Sequence, residues 1–168
     1  NTNWKISYLV DGLTTKSGSV NGYTSGELKA DTIATTPFTI TFEFDEAITA
    51  NEMVLYPRSD AKDASGKSPN FPLTYSVEAY NAATGEFETV FSVENADNPA
   101  GKPAYCLFNK TVTTTKLRYV ATGVGTYPTD EQVYRAQFCE IKIGLVEADD
   151  VSGEVGITVT PAAGIVLV

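Results

Sequence analysis

The sequence predicts an all-β protein built as an antiparallel β-sandwich. Three observations carry the prediction. Apolar and polar residues alternate at period two through most of the chain. No segment sustains a helical period, and clusters of Gly, Pro, Asn and Asp separate the apolar runs at short intervals. β-branched residues and tyrosines fill the runs, as a pleated, half-buried surface requires.

The elements follow in order. In "FTITFEFD", Phe38, Ile40, Phe42 and Phe44 share one face while Thr39, Thr41, Glu43 and Asp45 share the other, giving a strand with one buried and one wet side. "NEMVLYPR" is a second strand. "LTYSVEAYN" is a third, with Tyr75, Val77 and Ala79 on one side. "EFETVFSVE" follows a turn centred on Gly85, as in a hairpin. "KPAYCLFN", "TKLRYVATG" and "YRAQFCEIKIGLV" complete a set of about seven or eight strands, the number a sandwich needs. Three connections are long for such a fold: Asp11 to Thr36, Ser59 to Phe71, and Gly123 to Tyr134. Antiparallel order lets them gather at one end of the sandwich.

The chain of 168 residues, 42% of them apolar, suffices for one domain with a proper core and a tail. Residues 1–146 read as the sandwich. Beyond Val146 the acidic "EADDVSGEVG" leads into "ITVT", "PAAG" and "IVLV". Residues 147–168 therefore read as a linker or the truncated start of a following β domain, the alternative being a C-terminal strand that packs back. The opening "NTNWKISY" is already strand-like and carries no signal peptide, as in a chain cut from a longer precursor.

Composition excludes several functions. The net charge of −9 argues against nucleic acid, whose phosphates demand Lys and Arg. No apolar run is long enough to insert in a membrane. Histidine is absent, which removes Ser-His-Asp and Cys-His triads and His-ligated zinc. Cys106 and Cys139 lie in apolar strand patterns and are either a disulfide or two buried thiols. The acidic pairs Asp60/Asp63, Asp130/Glu131 and Asp149/Asp150 are adjacent on one loop each, whereas glycoside hydrolysis needs two carboxylates facing across a bond. The sequence reads as no enzyme.

The order of motifs resembles the discoidin family, the coagulation factor V/VIII type C domains, which in bacteria include family 32 carbohydrate-binding modules. "LVDG" (Leu9 to Gly12) looks like the family's early Asp-Gly loop, and "NGYTS" (Asn21 to Ser25) like the segment that follows it. "VLYPRSD" resembles the strand ending in Tyr-Pro-Arg with an Asp two residues on. "NFPLTYSVEAY", "TKLRYVATG" and "TDEQVYRAQFCEIKI" resemble later strands in the family's order. "NPAGKP" and "DEQVYRAQ" are most like domains appended to large secreted bacterial glycoside hydrolases. The resemblance implies a discoidin-like sandwich, the jelly roll of galactose-binding-like domains. It implies a non-catalytic module outside the cell or on its surface, covalently joined to neighbouring domains and bound to a glycan. Two other roles fit such a domain: a structural spacer that has lost its sugar site, and an adhesin module for a host surface protein.

Sugar recognition needs an aromatic face for the C–H side of a pyranose and polar groups for its hydroxyls. Arg58 is a planar five-donor fork stiffened by the preceding proline. The resemblance supports it, since an arginine at this strand end contacts sugar in several family members. Asp60 is placed to accept from a hydroxyl or to orient Arg58; Asn70 and Phe71 close the same loop, with Ala61 to Ser68 reading as a mobile spacer. Tyr127 and Tyr23 are the aromatic candidates. An internal pair of Arg58 with Asp60 or Glu131, merely tying loops, is the competing account, and Trp4 reads as a plug for the sandwich base. The resemblance also implies a calcium ion between the Asp-Gly loop and a last-strand Glu. The counterparts are Asp11 and Glu140, with Thr14 or Thr15 as a hydroxyl ligand and with Leu13 where the family has a further oxygen. Independently, Glu140 interrupts the apolar "FCEIKI", and a carboxylate there needs a partner or water.

Overall fold

The computed structural model describes residues 2–125 and 133–147 and the strand backbone at Ile165–Leu167. A 3-10 helix, Ile6–Val10, precedes seven strands: β1 (Tyr23–Thr24), β2 (Phe38–Pro57), β3 (Thr74–Asn81), β4 (Glu86–Val93), β5 (Ala104–Gly123), β6 (Gln137–Gly144) and β7 (Ile165–Leu167). They pair in the order β1-β6-β2-β5-β3-β4, with β7 beside β2, and every pairing is antiparallel.

Two strands of 20 residues make the sandwich. A straight strand of that length would run about 65 Å, too long for one layer of a domain this size. β2 and β5 instead pass from one layer to the other. Phe38 to Glu43 pair with Lys116 to Ala121 in the layer completed by β3 and β4. Glu52 to Leu55 pair with Ala104 to Leu107 in the layer completed by β6 and β1. The register shifts between Glu43 and Ile48 and again between Ala50 and Glu52, and such irregularities bend a strand. β2 and β5 each join two strands that the sequence predicts separately; between the two halves of β2, Glu46 and Ala47 lie exposed at the bend.

The alternation predicted for β2 and β3 holds. Ile40, Phe42 and Phe44 are buried, as are Tyr75, Val77 and Ala79, and they meet Leu117, Tyr119 and Phe138 between the layers. The β3–β4 hairpin turns where expected. Gly85 has φ +74°, which suits a residue without Cβ, and its N–H donates to the Asn81 carbonyl. β6 differs from the other strands in being buried almost throughout, because the 3-10 helix and the segment around Asn21 to Ser25 cover its outer side. Cys106 and Cys139 are both buried and free, so the disulfide alternative is not formed.

Candidate functional site

Arg58 emerges directly from the end of β2, and β6 begins beside it. Its Nε donates to Asp60 Oδ1 at 2.9 Å and its Nη2 to Asp60 Oδ2 at 2.7 Å, a two-point ion pair. Nη1 donates to Gln137 Oε1 at 2.6 Å. The same Gln137 oxygen accepts from Asn70 Nδ2 at 2.9 Å, and Gln137 Nε2 donates to Thr24 Oγ1 at 3.0 Å. Asn70 adds two backbone links: its carbonyl accepts from Gln137 N, and its Oδ1 accepts from Arg135 N. One polar network thus ties the strand end, the loop after it, β1 and the start of β6.

The described parts of the three long connections converge here. Lys16 N donates to Ser59 Oγ at 2.7 Å, joining the first to the second. Leu28 bridges Tyr134, and Ala136 N donates to Ser25 Oγ, joining the first to the approach to β6. Gly125 lies so close to Phe71 that an added Cβ would stand 1.7 Å from the Phe71 carbonyl oxygen, joining the second to the third.

The loop from Ser59 to Phe71 is folded rather than a loose spacer. Asp63 Oδ1 accepts from Ser65 N, Ser65 Oγ and Lys67 N, and these bonds hold its carboxyl below the usual range. Asn98 clamps Ser68 by accepting from its N–H and donating to its carbonyl, and Ser68 is fully buried. The short polar residues that suggested mobility are the ones that make these local bonds.

Asn70 and Phe71 are scaffold. Both are 1% exposed. Asn70 takes φ +57°, a left-handed conformation that Asn tolerates, and spends its side chain on the network. Phe71 packs edge-on against Tyr75 and Phe138 in the core and offers no free ring face. Their expected place on the ligand side is corrected accordingly. Tyr23 is half-buried and stacks on Phe38 with centroids 6.3 Å apart, and burial raises its hydroxyl pKa. Tyr127 and Glu131 lie outside the described residues.

Trp4 is the residue the sequence reading misplaced. It does not plug the base. It is half-buried, with the Arg58 guanidinium carbon 5.1 Å from its ring centroid. Arg58 and Asp60 each keep a small exposed edge, 13% and 14% of the side chain. The junction therefore combines one aromatic ring, a fixed donor fork and a carboxylate. Gln137 was also missed, although it interrupts an apolar strand as Glu140 does, and that signal would have found it.

At the other named cluster, Glu140 is 4% exposed, and Gly12 N donates to both its oxygens at 3.1 Å. Burial pushes its carboxyl up to about 7; the Gly12 N–H opposes this and the negative charge of Asp11 adds to it. Asp11 is exposed, with Oδ1 accepting from Leu13 N at 2.9 Å, and Thr14 is half-buried beside it in sequence. Among the described residues, no three His, Cys, Asp or Glu side chains gather as a metal cluster.

No family model matches the chain, and no curated protein matches it. Solved structures do. The family 32 carbohydrate-binding module of Streptococcus pneumoniae EndoD is similar at a TM-score of 0.61 and 12% identity, over 86% of this chain and 87% of that one. The family 32 module of C. perfringens NanJ, solved in complex with galactose, is similar at 0.53 and 13%, over 85% and 86%. An F5/8 type C domain from Bacteroides fragilis is similar at 0.52 and 12%, over 84% and 80%. The chain has the discoidin-type β-sandwich fold that these modules share.

Proposed function

We propose that this domain is a non-catalytic carbohydrate-binding module that attaches a larger extracellular or surface-held bacterial protein, such as a secreted glycoside hydrolase, to a glycan. The observation that carries the reading is the Arg58–Asp60 pair beside Trp4, at the junction where the long connections meet. A rigid donor and acceptor pair next to an aromatic ring is the chemistry that pyranose recognition uses. The fold supports the reading, because similar structures include carbohydrate-binding modules. Among the described residues no helix is long and apolar enough to cross a membrane.

The test is a glycan array followed by calorimetry on the hits. The proposal expects weak, reversible binding that Arg58→Ala removes while the protein still melts cooperatively. No binding to any glycan would overturn it. A second reading, a structural spacer, is favoured by one observation: Arg58 and Asp60 satisfy each other and are mostly buried. That reading expects Arg58→Ala to lower stability with no glycan binding to lose.

Calcium belongs to the same proposal. Asp11 and Glu140 would supply two carboxylates and the Gly12 turn its backbone oxygens, with Thr14 as a hydroxyl donor. The donor chemistry fits a hard cation, since Glu140 is buried with both carboxylate oxygens turned to the Asp11–Gly12 loop, where they accept from Gly12 N. Bound calcium would neutralise that pair and fix the loop. Thermal melting with added calcium or chelator tests it: the proposal expects calcium to raise the melting temperature, and no effect would remove the ion from the account.

A further inference from the structure

We infer that Trp4 and the Arg58–Asp60 pair form one subsite that takes an electrically neutral pyranose and rejects a sugar acid. The inference rests on the carbohydrate-binding reading and adds to it the class of sugar and the aromatic wall.

Trp4 is held in place by backbone pairing with the segment that precedes β1. It bridges Gly22 in parallel register, Lys5 N donates to the Gly22 carbonyl at 3.0 Å, and Asn21 N donates to the Asn3 carbonyl at 2.9 Å. Gly22 in turn is pressed onto β6. It takes φ +120°, and an added Cβ would stand 2.1 Å from the Phe138 carbonyl oxygen. The chain start is therefore anchored on the strand that carries Gln137, and Gln137 fixes Arg58. The ring and the guanidinium are positioned by one rigid unit, as a binding subsite requires.

The charge balance sets the class of ligand. Arg58 meets Asp60 at two points, so the cation is matched before any ligand arrives. Its third hydrogen bond goes to Gln137, a neutral amide already engaged by Asn70 and Thr24. Of the five guanidinium N–H groups, three bond to Asp60 and Gln137, leaving two without a partner among the described residues, and each Asp60 oxygen keeps acceptor capacity. A hydroxyl both donates and accepts and can use both. A carboxylate only accepts, finds a cation already neutralised, and meets the Asp60 carboxylate. Of the lysines at this loop, Lys16 reaches it through its backbone N–H, Lys62 lies with its ammonium against Gly101, and Lys67 lies beside Asp63, to which its backbone N–H donates; Lys5 lies over Tyr8.

Trp4 is the only tryptophan in the chain, so its indole N–H resonance reports on this site alone. The experiment titrates the intact, isotopically labelled protein with neutral hexoses, galactose among them, and with the uronic acid matching each. Chemical shifts are followed at constant ionic strength. The expected result is saturable movement of the indole resonance by a neutral hexose, with the matching acid at least about tenfold weaker. Asp60→Asn, which frees the Arg58 charge, is expected to shift the preference toward the acid; if that variant does not fold, the wild-type titration decides alone. An acid that binds as tightly as its neutral counterpart overturns the inference. Hexose-dependent shifts elsewhere with a still indole also overturn it while leaving the carbohydrate-binding reading intact. No response to any sugar or arrayed glycan overturns both.

Discussion

Arg58 and Arg118 are made of the same parts and do different things. Each pairs with a carboxylate, Asp60 or Glu78, and each lies over an aromatic ring, Trp4 at 5.1 Å or Phe87 at 4.0 Å. Arg118 sits in the middle of a regular ladder, directly opposite Glu78 on β3 and Thr41 on β2. Its pair is an ordinary cross-strand contact on an open sheet face, and strand register would hold those residues together without it. Arg58 sits where regular structure ends. Its partners come from its own loop and from β6, and through Gln137 and Asn70 its bonds decide how the loops meet. An ion pair on a sheet decorates a geometry that already exists, whereas one at a loop junction creates it.

The contrast can be broken from the largest effect downward. Phe71→Ala should cost about 4 kcal/mol in urea unfolding, because it empties a core position that the loop supplies. A surface-like loss of under about 1 kcal/mol would mean the loop end is not core. Arg58→Ala should cost about 3 kcal/mol, since it strands a mostly buried Asp60 and opens the Gln137 network. It should also abolish glycan binding. Arg118→Ala should cost only about 0.5 kcal/mol, its charge being about a third exposed, and should leave glycan binding unchanged. If the two arginine variants behave alike, the comparison fails.

A pH experiment sharpens the picture at the neighbouring Asp-Gly loop. The folded pKa of Glu140 is raised, so folding binds an extra proton between the unfolded value of 4.5 and the folded value of about 7. That contribution to stability is complete below about 4.5 and is lost as pH rises through about 7. Calcium-free protein should therefore melt lower at pH 7.5 than at pH 5 through this group. Glu140→Gln should flatten that trend, and thermal melts across the range check it. Calcium, if it binds the ionised form, should restore stability at the upper end.

Much of this arrangement was legible in the sequence, and the boundary has a physical cause. The alternation through Phe38 to Phe44 and Tyr75 to Ala79 is a local signal, and it located the core faces. The arginine after Tyr56 and Pro57 marked the strand end. The joining of two apparent strands into β2 was not legible, because a bulge leaves polar residues that read as a turn. The Asn70–Gln137 bond spans 67 positions and depends on register between a loop and a distant strand. Trp4 reaches Arg58 from the start of the chain only because Gly22 lies flat on β6, a tertiary contact that no local pattern announces.

The most direct measurement of the central claim follows the side-chain Nε–H resonances of Arg58 and Arg118 while the protein is titrated with a neutral glycan that binds it. Binding at the loop junction predicts that the Arg58 resonance moves saturably, together with the Trp4 indole, while the Arg118 resonance stays fixed. Movement of Arg118 with Arg58 unmoved would place the ligand on the sheet face and contradict the account.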